Sequence, residues 1–209
     1  MKRLCILLSI LLVISMLSGC GKKEEPEPIP NPIATITMES GAQMRFELDP
    51  VAAPNTVANF VNLANTGFYD GQHFFRVVSG VLIQGGDPYN DGTGDAGYAI
   101  KGEFSDNGFE NNLSHLRGTI SMSRQSHFDS ASSQFFILQG SYPEYDGKYA
   151  AFGRMIDEQS LNTLDEIAAQ PVDGSYEPLY RQVIKSIRVD TFDVEYNPVT
   201  IDRPKMEED

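Results

Sequence analysis

The sequence predicts a mainly β fold, a closed barrel with helical plugs, and three observations support this prediction. Short apolar runs of strand length recur along the chain, whereas only two segments carry apolar residues at helical spacing. Hydrophobic residues make up 41% of the chain and charged residues 22%, which is typical of a globular protein. A chain of 209 residues is long enough for one substantial domain and short for two.

The start of the sequence indicates an export signal. Lys2 and Arg3 precede an apolar run from Leu4 to Leu17, which has the length of a signal peptide and is too short to span a membrane. The run continues into Ser-Gly-Cys20 and resembles the lipobox of bacterial lipoproteins. This resemblance implies removal of residues 1–19, lipidation of Cys20 and a domain anchored to the extracytoplasmic side of a bacterial membrane. The alternative is an ordinary secretory signal with an incidental cysteine.

Proline-rich segments flank the predicted domain. Residues 20–32 hold the cysteine and a tether rich in proline and glutamate, which cannot form a packed element and would extend roughly 35 Å. Residues 197–209 form an acidic tail that we expect to be loose, since it contains Pro198 and Pro204. The domain is therefore placed at residues 33–196. The net charge of −13 argues against a nucleic-acid partner.

The strands are predicted from alternation and length. Ile33 to Met38 and Gln43 to Leu48 are strand-like, and the intervening Glu39-Ser40-Gly41 predicts a hairpin turn. Further runs of strand length follow, at residues 74–78, 81–83, 119–123, 134–138, 150–155 and 183–189.

Two helices are predicted among these strands. The first follows Pro54, with Asn55 as its N-cap, apolar residues at helical spacing from Val57 to Ala64, and Gly67 at its end. The second covers residues 158–169 and stops before Pro171.

Several motifs point only weakly to other chemistry. Gly92 to Gly97 matches G-x-G-x-x-G but lacks the strand before it and the helix after it, so we interpret it as a surface loop. The three histidines have no zinc-motif spacing. A Ser-His-Asp hydrolase using His127 and Asp129 is an alternative, but these residues lie two apart in one serine-rich loop without a nucleophile elbow.

One arginine interrupts an otherwise apolar strand. Alternation places Phe74, Arg76 and Val78 on one face, so the guanidinium would project among apolar groups. On this evidence alone, a structural salt bridge and a functional arginine are equally supported.

The chain resembles the cyclophilin-type peptidyl-prolyl cis/trans isomerases. The resemblance covers residues 33–189 and depends on several motifs in the family's order and spacing: FRVV at 75–78, QGGD at 84–87, GTISM at 118–122, SSQFFI at 132–137, DGK at 146–148 and FG at 152–153. It implies an eight-stranded, closed antiparallel barrel capped by two α-helices, with the active site on its outer wall.

The resemblance also implies roles for individual residues. Arg76 matches the catalytic arginine, Gln84 the glutamine that supports it, and Phe136 the floor of the proline pocket. The matching substrate-binding positions are Val81, Leu82, Ser123, Arg124, Gln134, Tyr145 and Tyr149. No metal or cofactor is implied. The expected partners are proline-containing, unfolded or partly folded polypeptides, bound by a monomer.

Four rim positions depart from the best-known members. Val81 replaces a usual phenylalanine, Glu144 or its neighbour a common tryptophan, Tyr145 a leucine and Tyr149 a histidine. Phe75 also replaces the histidine that usually precedes the arginine. These departures leave an alternative open, in which the fold is a catalytically weak binding module for proline-containing segments.

Overall fold

The computed structural model describes residues 29–205, and within that range it contains eight β-strands and two α-helices. The strands are β1 Ile33–Met38, β2 Gln43–Leu48, β3 Arg76–Val78, β4 Leu82–Gly85, β5 Thr119–Met122, β6 Phe135–Leu138, β7 Ala151–Met155 and β8 Ile184–Asp190. The helices are α1 Pro54–Asn65 and α2 Glu158–Ala168. Each predicted strand and helix is present. The signal, Cys20 and most of the tether lie outside the described residues.

The strands form one curled antiparallel sheet in the order β3-β4-β6-β5-β7-β2-β1-β8. This order leaves β3 and β8 at the two ends of the ladder. The chain ahead of β3 still reaches the start of β8, since the amide of Ile184 donates to the carbonyl of Gln72 (2.8 Å) and that of Phe74 to Gln182 (3.1 Å). The mainly β class with two helices is confirmed, whereas the closed barrel stays a prediction.

The core lies on one face of this sheet. In β2, Met44, Phe46 and Leu48 are fully buried and alternate with exposed polar residues, because successive strand side chains point to opposite faces. Helix α1 packs against β8, and α2 packs against β2. Between residues 29 and 205, no helix is both long and apolar enough to cross a membrane.

The start of α1 differs from the prediction. Its N-cap is Ala53, which has no capping side chain. The carboxylate of Glu103, 4% exposed, instead accepts hydrogen bonds from the amides of Asn55 (2.9 Å) and Thr56 (2.8 Å). An N-cap at Asn55 is therefore wrong, because a residue distant in sequence takes over the free N–H groups.

The expectation of a loose tail is wrong for residues 197–205. The side chain of Asn55 exchanges two hydrogen bonds with the backbone of Val199 (2.7 and 3.0 Å). Ile201 and Ala99 exchange two backbone hydrogen bonds (2.8 and 2.9 Å), and Arg203 pairs with Asp95. The prolines do not prevent docking, because the backbone groups that bind belong to other residues.

Candidate active site

A row of side chains crosses four neighbouring strands on the outer face of the sheet. Arg76 of β3 is paired in register with Gln84 of β4, Gln84 with Phe136 of β6, and Phe136 with Ser121 of β5. The adjacent row belongs to the core and consists of Val77, Ile83, Ile137 and Ile120. Because strand side chains alternate between faces, the row that contains Arg76 faces outward.

The prediction that Phe74 shares a face with Arg76 is wrong. Phe74 precedes the strand, is fully buried, and packs edge-on against Phe135 in the main core at a centroid distance of 6.2 Å. It does not share a face with Arg76, because regular strand geometry begins only at that arginine. Val78 does lie on the outer face, against the cluster around Phe136.

Arg76 is partly exposed and held by a side chain from the next strand. Its Nη1 donates to Oε1 of Gln84 at 3.2 Å. Among the described residues it forms no ion pair with a carboxylate, so the salt-bridge interpretation is not supported there. Its remaining N–H groups are available to a ligand on the outer face.

The side-chain amide of Gln84 is also held at its NH₂ group. Its Nε2 donates to Oγ of Ser123 (3.2 Å) and to Oε1 of Gln134 (3.0 Å). Nε2 of Gln134 in turn donates to the carbonyls of Gly92 (3.1 Å) and Gly94 (2.9 Å). This chain of hydrogen bonds orients both amides, so that an oxygen faces Arg76.

An apolar cluster adjoins this network. Phe136 is 5% exposed and packs with Leu82 and Leu138, all of them on the outer face. Partly exposed residues cover the cluster: Val78, Val81, Tyr142, Tyr145 and Tyr149. Edge-on contacts connect the Phe136 ring with Tyr149 (5.5 Å) and Tyr145 (6.0 Å). Burial, reinforced by nearby Tyr149, raises the pKa of Tyr145, so its phenol keeps its proton.

The side chain of Arg124 joins the two loops that border this cluster. Its Nε donates to the carbonyl of Lys148 (3.0 Å), and its Nη1 donates to that of Gln125 (2.8 Å). The guanidinium also lies about 5 Å from the ring centres of Phe104, Phe128 and Tyr149. These contacts engage the side chain within the protein.

A hydrogen-bonded trio around the buried His115 contacts Phe136 and was missed by the sequence reasoning; its third member, Asp146, is exposed. His115 stacks on Phe136 with a centroid distance of 6.2 Å. Its Nδ1 lies 2.8 Å from Oδ1 of Asp146 and its Nε2 lies 3.0 Å from Oγ of Ser121. Burial lowers the pKa of His115, against the opposing effect of Asp146, which favours a neutral ring that donates to the carboxylate and accepts from the hydroxyl. The only signal was its place near the matched motifs.

This trio has the hydrogen-bond connectivity of a Ser-His-Asp hydrolase triad, but its serine is not accessible to a substrate. Ser121 is 0% exposed, so a substrate carbonyl cannot reach its hydroxyl. The predicted alternative, His127 with Asp129, is not assembled either, because Asp129 accepts from the amide of Gly102 (3.0 Å) and from Asn107 (2.8 Å). A serine hydrolase is therefore not supported.

The G-x-G-x-x-G match is a loop, as predicted. No helix follows Gly97 before the short 3₁₀ turn at Ser105–Asn107 in this part of the described chain. The buried carboxylate of Asp87 accepts from the amides of Tyr89 (2.8 Å) and Gly92 (2.5 Å) and so fixes the loop. In residues 29–205, no group of three or more His, Cys, Asp or Glu residues could hold a metal ion.

Comparison with known proteins decides the family. Residues 33–189 match the family model "Cyclophilin type peptidyl-prolyl cis-trans isomerase/CLD". The chain belongs to the cyclophilin family. The predicted family is thereby confirmed, and so is peptidyl-prolyl cis-trans isomerase as the enzyme class.

Bacterial cyclophilins are among the similar sequences. Peptidyl-prolyl cis-trans isomerase B of Bacillus subtilis is 45% identical over 118 residues, which are 56% of this chain and 79% of the relative. An isomerase of Synechococcus elongatus is 42% identical and covers 63% of this chain and 85% of its own. One from Helicobacter pylori is 40% identical over 69% of this chain and 85% of its own.

A solved cyclophilin has the same fold. The crystal structure of a Cryptosporidium parvum cyclophilin type isomerase in the presence of the dipeptide Ala-Pro has a TM-score of 0.67 and 32% sequence identity. The match covers 76% of this chain and 98% of that one.

All ten predicted catalytic and substrate-binding residues lie in this region of the cyclophilin fold. Arg76, Gln84, Ser123 and Gln134 form the hydrogen-bonded network. Phe136 and its neighbours form the apolar cluster, and Arg124 contacts that cluster through Tyr149. Their individual roles stay predictions.

Proposed function

We propose that this peptidyl-prolyl cis-trans isomerase acts on exported polypeptides at a membrane surface, with Arg76 as its catalytic residue. The observation that carries the catalytic assignment is the position of Arg76. It is partly exposed, held by Gln84, and lies in the same outward-facing row of side chains as Phe136.

The chemistry requires a donor aimed at the prolyl nitrogen. Rotation about an X-Pro bond crosses a barrier of about 18 to 20 kcal/mol, and twisting the bond gives the nitrogen a lone pair that the planar amide lacks. A hydrogen bond from Arg76 to this lone pair therefore exists only near the transition state, which is the condition for catalysis by differential binding. Gln84 positions the guanidinium for this contact.

The apolar cluster would bind the proline ring. Phe136 forms the floor, with Leu82 and Val81 beside it, and these side chains offer no polar group to the ring. Excluding water there favours the twisted state, which is less polar than the resonance-stabilised planar amide. The neutral His115 stacked on Phe136 keeps the floor in place without adding a charge.

One hydrogen bond does not account for the whole rate gain. An acceleration of about 10⁵ requires roughly 7 kcal/mol, whereas one charge-assisted hydrogen bond contributes about 1.5 to 3 kcal/mol. Positioning and desolvation by the pocket supply the remainder. Ser123, Gln134 and the backbone of Arg124 would hold the substrate chain, while Tyr145 and Tyr149 border the ring.

The catalytic proposal is tested by exchange NMR on a short X-Pro peptide. Purified full-length protein in mild detergent is compared with its Arg76→Ala variant. Fast cis/trans exchange with the parent protein and little with the variant would support the assignment. Binding shifts without exchange in both proteins would refute it and favour the binding module.

Membrane attachment is proposed from the sequence alone. The basic start, the apolar run to Leu17 and the Ser-Gly-Cys20 ending support lipidation of Cys20, and the proline-rich tether would keep the domain away from the bilayer. Two or three acyl chains give durable attachment, because each buried methylene contributes about 0.8 kcal/mol. Mass spectrometry of the mature N-terminus tests this, and an unmodified cysteine with a soluble protein would overturn it.

We also propose that the sheet closes into a barrel and that the protein acts as a monomer. Support for closure comes from the backbone hydrogen bonds between residues 71–74 and 182–184, which bridge the two ends of the strand ladder. Hydrogen exchange tests closure: the amides of Phe74 and Ile184 would be protected like those of the central strands. Rapid exchange at both would indicate an open sheet. Light scattering at several protein concentrations tests the monomer.

A further inference from the structure

Two cavities adjoin each other beside the Gln84 network. The first, of about 190 Å³, is lined by Gln84, Ser123 and Gln134 of that network. The second, of about 430 Å³, is lined by Tyr98 and by three residues of the tail, Arg203, Pro204 and Lys205. The cavities share four lining residues: Asp95, Gln125, Ser130 and Ser132. A groove therefore runs from the catalytic network to the docked tail.

The tail is a fixed wall of this groove. Two backbone hydrogen bonds between Ile201 and Ala99 anchor the tail at the second cavity, which Ala99 also lines. Arg203 then donates from Nη1 to Oδ2 of Asp95 at 2.5 Å, while Oδ1 of Asp95 accepts from the amide of Gly97 at 2.7 Å. Asp95 is the residue that lines both cavities and also holds the tail.

We propose that residues 197–205 form part of the polypeptide-binding groove, where they contact the substrate chain beyond the X-Pro unit. The proposal rests on the proposed function, because a substrate that is a polypeptide continues past the residues bound at Arg76. An extended chain advances roughly 3.3 Å per residue, so the flanking residues must run along a neighbouring surface. The groove toward the tail is continuous with the catalytic network and supplies such a surface.

The groove suits an extended, polar segment. The four shared residues are all polar, with hydroxyl, amide and carboxylate side chains, and they lie where the two cavities join. Residues 190–205 lie beyond the family match, which ends at 189, so this wall is an addition to the matched domain. Discrimination between short and long substrates follows, because only long ones reach the tail.

The test compares peptide lengths in tail variants. Three peptides are used: a tetrapeptide with a central X-Pro unit, the same peptide extended by four serine or glycine residues before it, and one extended after it. Arg203→Ala removes the ion pair, and Arg203→Glu opposes Asp95 with a like charge. Arg45→Ala is the matched control, since Arg45 is an exposed arginine paired with Asp157 on another element.

For at least one extended peptide, kcat/KM should fall about three- to fivefold more than for the tetrapeptide in both Arg203 variants, as expected for losing a weak contact surface. Arg45→Ala should leave the ratio unchanged. Extended peptides should also shift the amide NMR signals of Ile201, Arg203 and Lys205 in the parent protein. Equal effects of the Arg203 variants on all three peptides would overturn the proposal.

Failure of the proposed function would be separately visible. If the parent protein isomerises none of the peptides, the catalytic proposal fails, whereas shifts at the Arg203 and Lys205 amides still report whether extended chains reach the tail. Absence of those shifts at saturating extended peptide would overturn the tail's role even in an active enzyme.

Discussion

Replacement of Arg76 by alanine should lower kcat/KM by about 10² to 10³, with little change in KM. The estimate follows from removing one preorganised transition-state donor, a loss that costs about 2.7 to 4 kcal/mol in comparable sites. The effect should fall on kcat because the planar substrate offers no acceptor to Arg76. Stability should drop by only about 1 kcal/mol, since the partly exposed side chain forms one hydrogen bond, 3.2 Å long, to Gln84.

A second variant separates charge from geometry. Arg76→Lys keeps the positive charge, but an ammonium cannot donate to Gln84 and to the prolyl nitrogen with the planar fork of a guanidinium. We expect it to recover at most about tenfold of the lost rate. Peptide exchange NMR gives the rates, and urea denaturation verifies folding. Near-normal kcat/KM in a folded Arg76→Ala protein would refute the reasoning.

Three further predictions concern stability, measured as the free energy of unfolding in urea. Gly86→Ala should cost at least about 2 kcal/mol, because φ is +87° and a Cβ would lie 2.4 Å from the carbonyl oxygen of Ser133. Glu103→Ala should cost roughly 2 to 4 kcal/mol, because two amides at the start of α1 lose a buried acceptor. Stability should fall as the pH drops below about 6.5, because burial lowers the folded-state pKa of His73 and His115, so that the unfolded chain binds more protons.

Each of these has a matched control. Gly41 also has a positive φ, +90°, but open space around its Cβ position, so Gly41→Ala should show the backbone strain alone. Equal losses at Gly41 and Gly86 would contradict the contact argument. Glu166→Ala, on the exposed face of α2, should be nearly neutral, and a similar cost there would remove the capping explanation. A double His73→Gln, His115→Gln variant should flatten the pH dependence, and an unchanged slope would assign it to other groups.

Local patterns predicted most of the fold. The alternation of Met44, Phe46 and Leu48 records directly which face of β2 is buried. The cap of α1 could not be found this way, because the carboxylate that binds the amide of Asn55 comes from Glu103, 48 residues later. A carboxylate from any part of the chain can accept hydrogen bonds from the free amides at the start of a helix. Sequence spacing therefore does not predict which residue will do so.

The same contrast applies to the candidate site: sequence motifs identified some of its residues, whereas contacts between distant residues were missed. The motif matches identified Arg76, Gln84 and Phe136, and the structure places them in register on adjacent strands. The trio beneath Phe136 was missed, because Asp146 reaches His115 across 31 residues. The docked tail was also missed, since its contacts depend on side chains and edges that exist only once the domain has folded.

The hydrogen-bond directions explain why a glycine-rich loop belongs to the proposed catalytic site. The carbonyls of Gly92 and Gly94 can only accept, so Gln134 must turn its NH₂ group toward them and its oxygen toward Gln84. Gln84 must then donate to that oxygen, which leaves its own oxygen for Arg76. A loop outside the row that holds Arg76 and Phe136 thus determines which end of Gln84 meets the guanidinium. Because the same loop leads to Asp95 and its partner Arg203 in the tail, the Gln84 network and the proposed groove wall share one support.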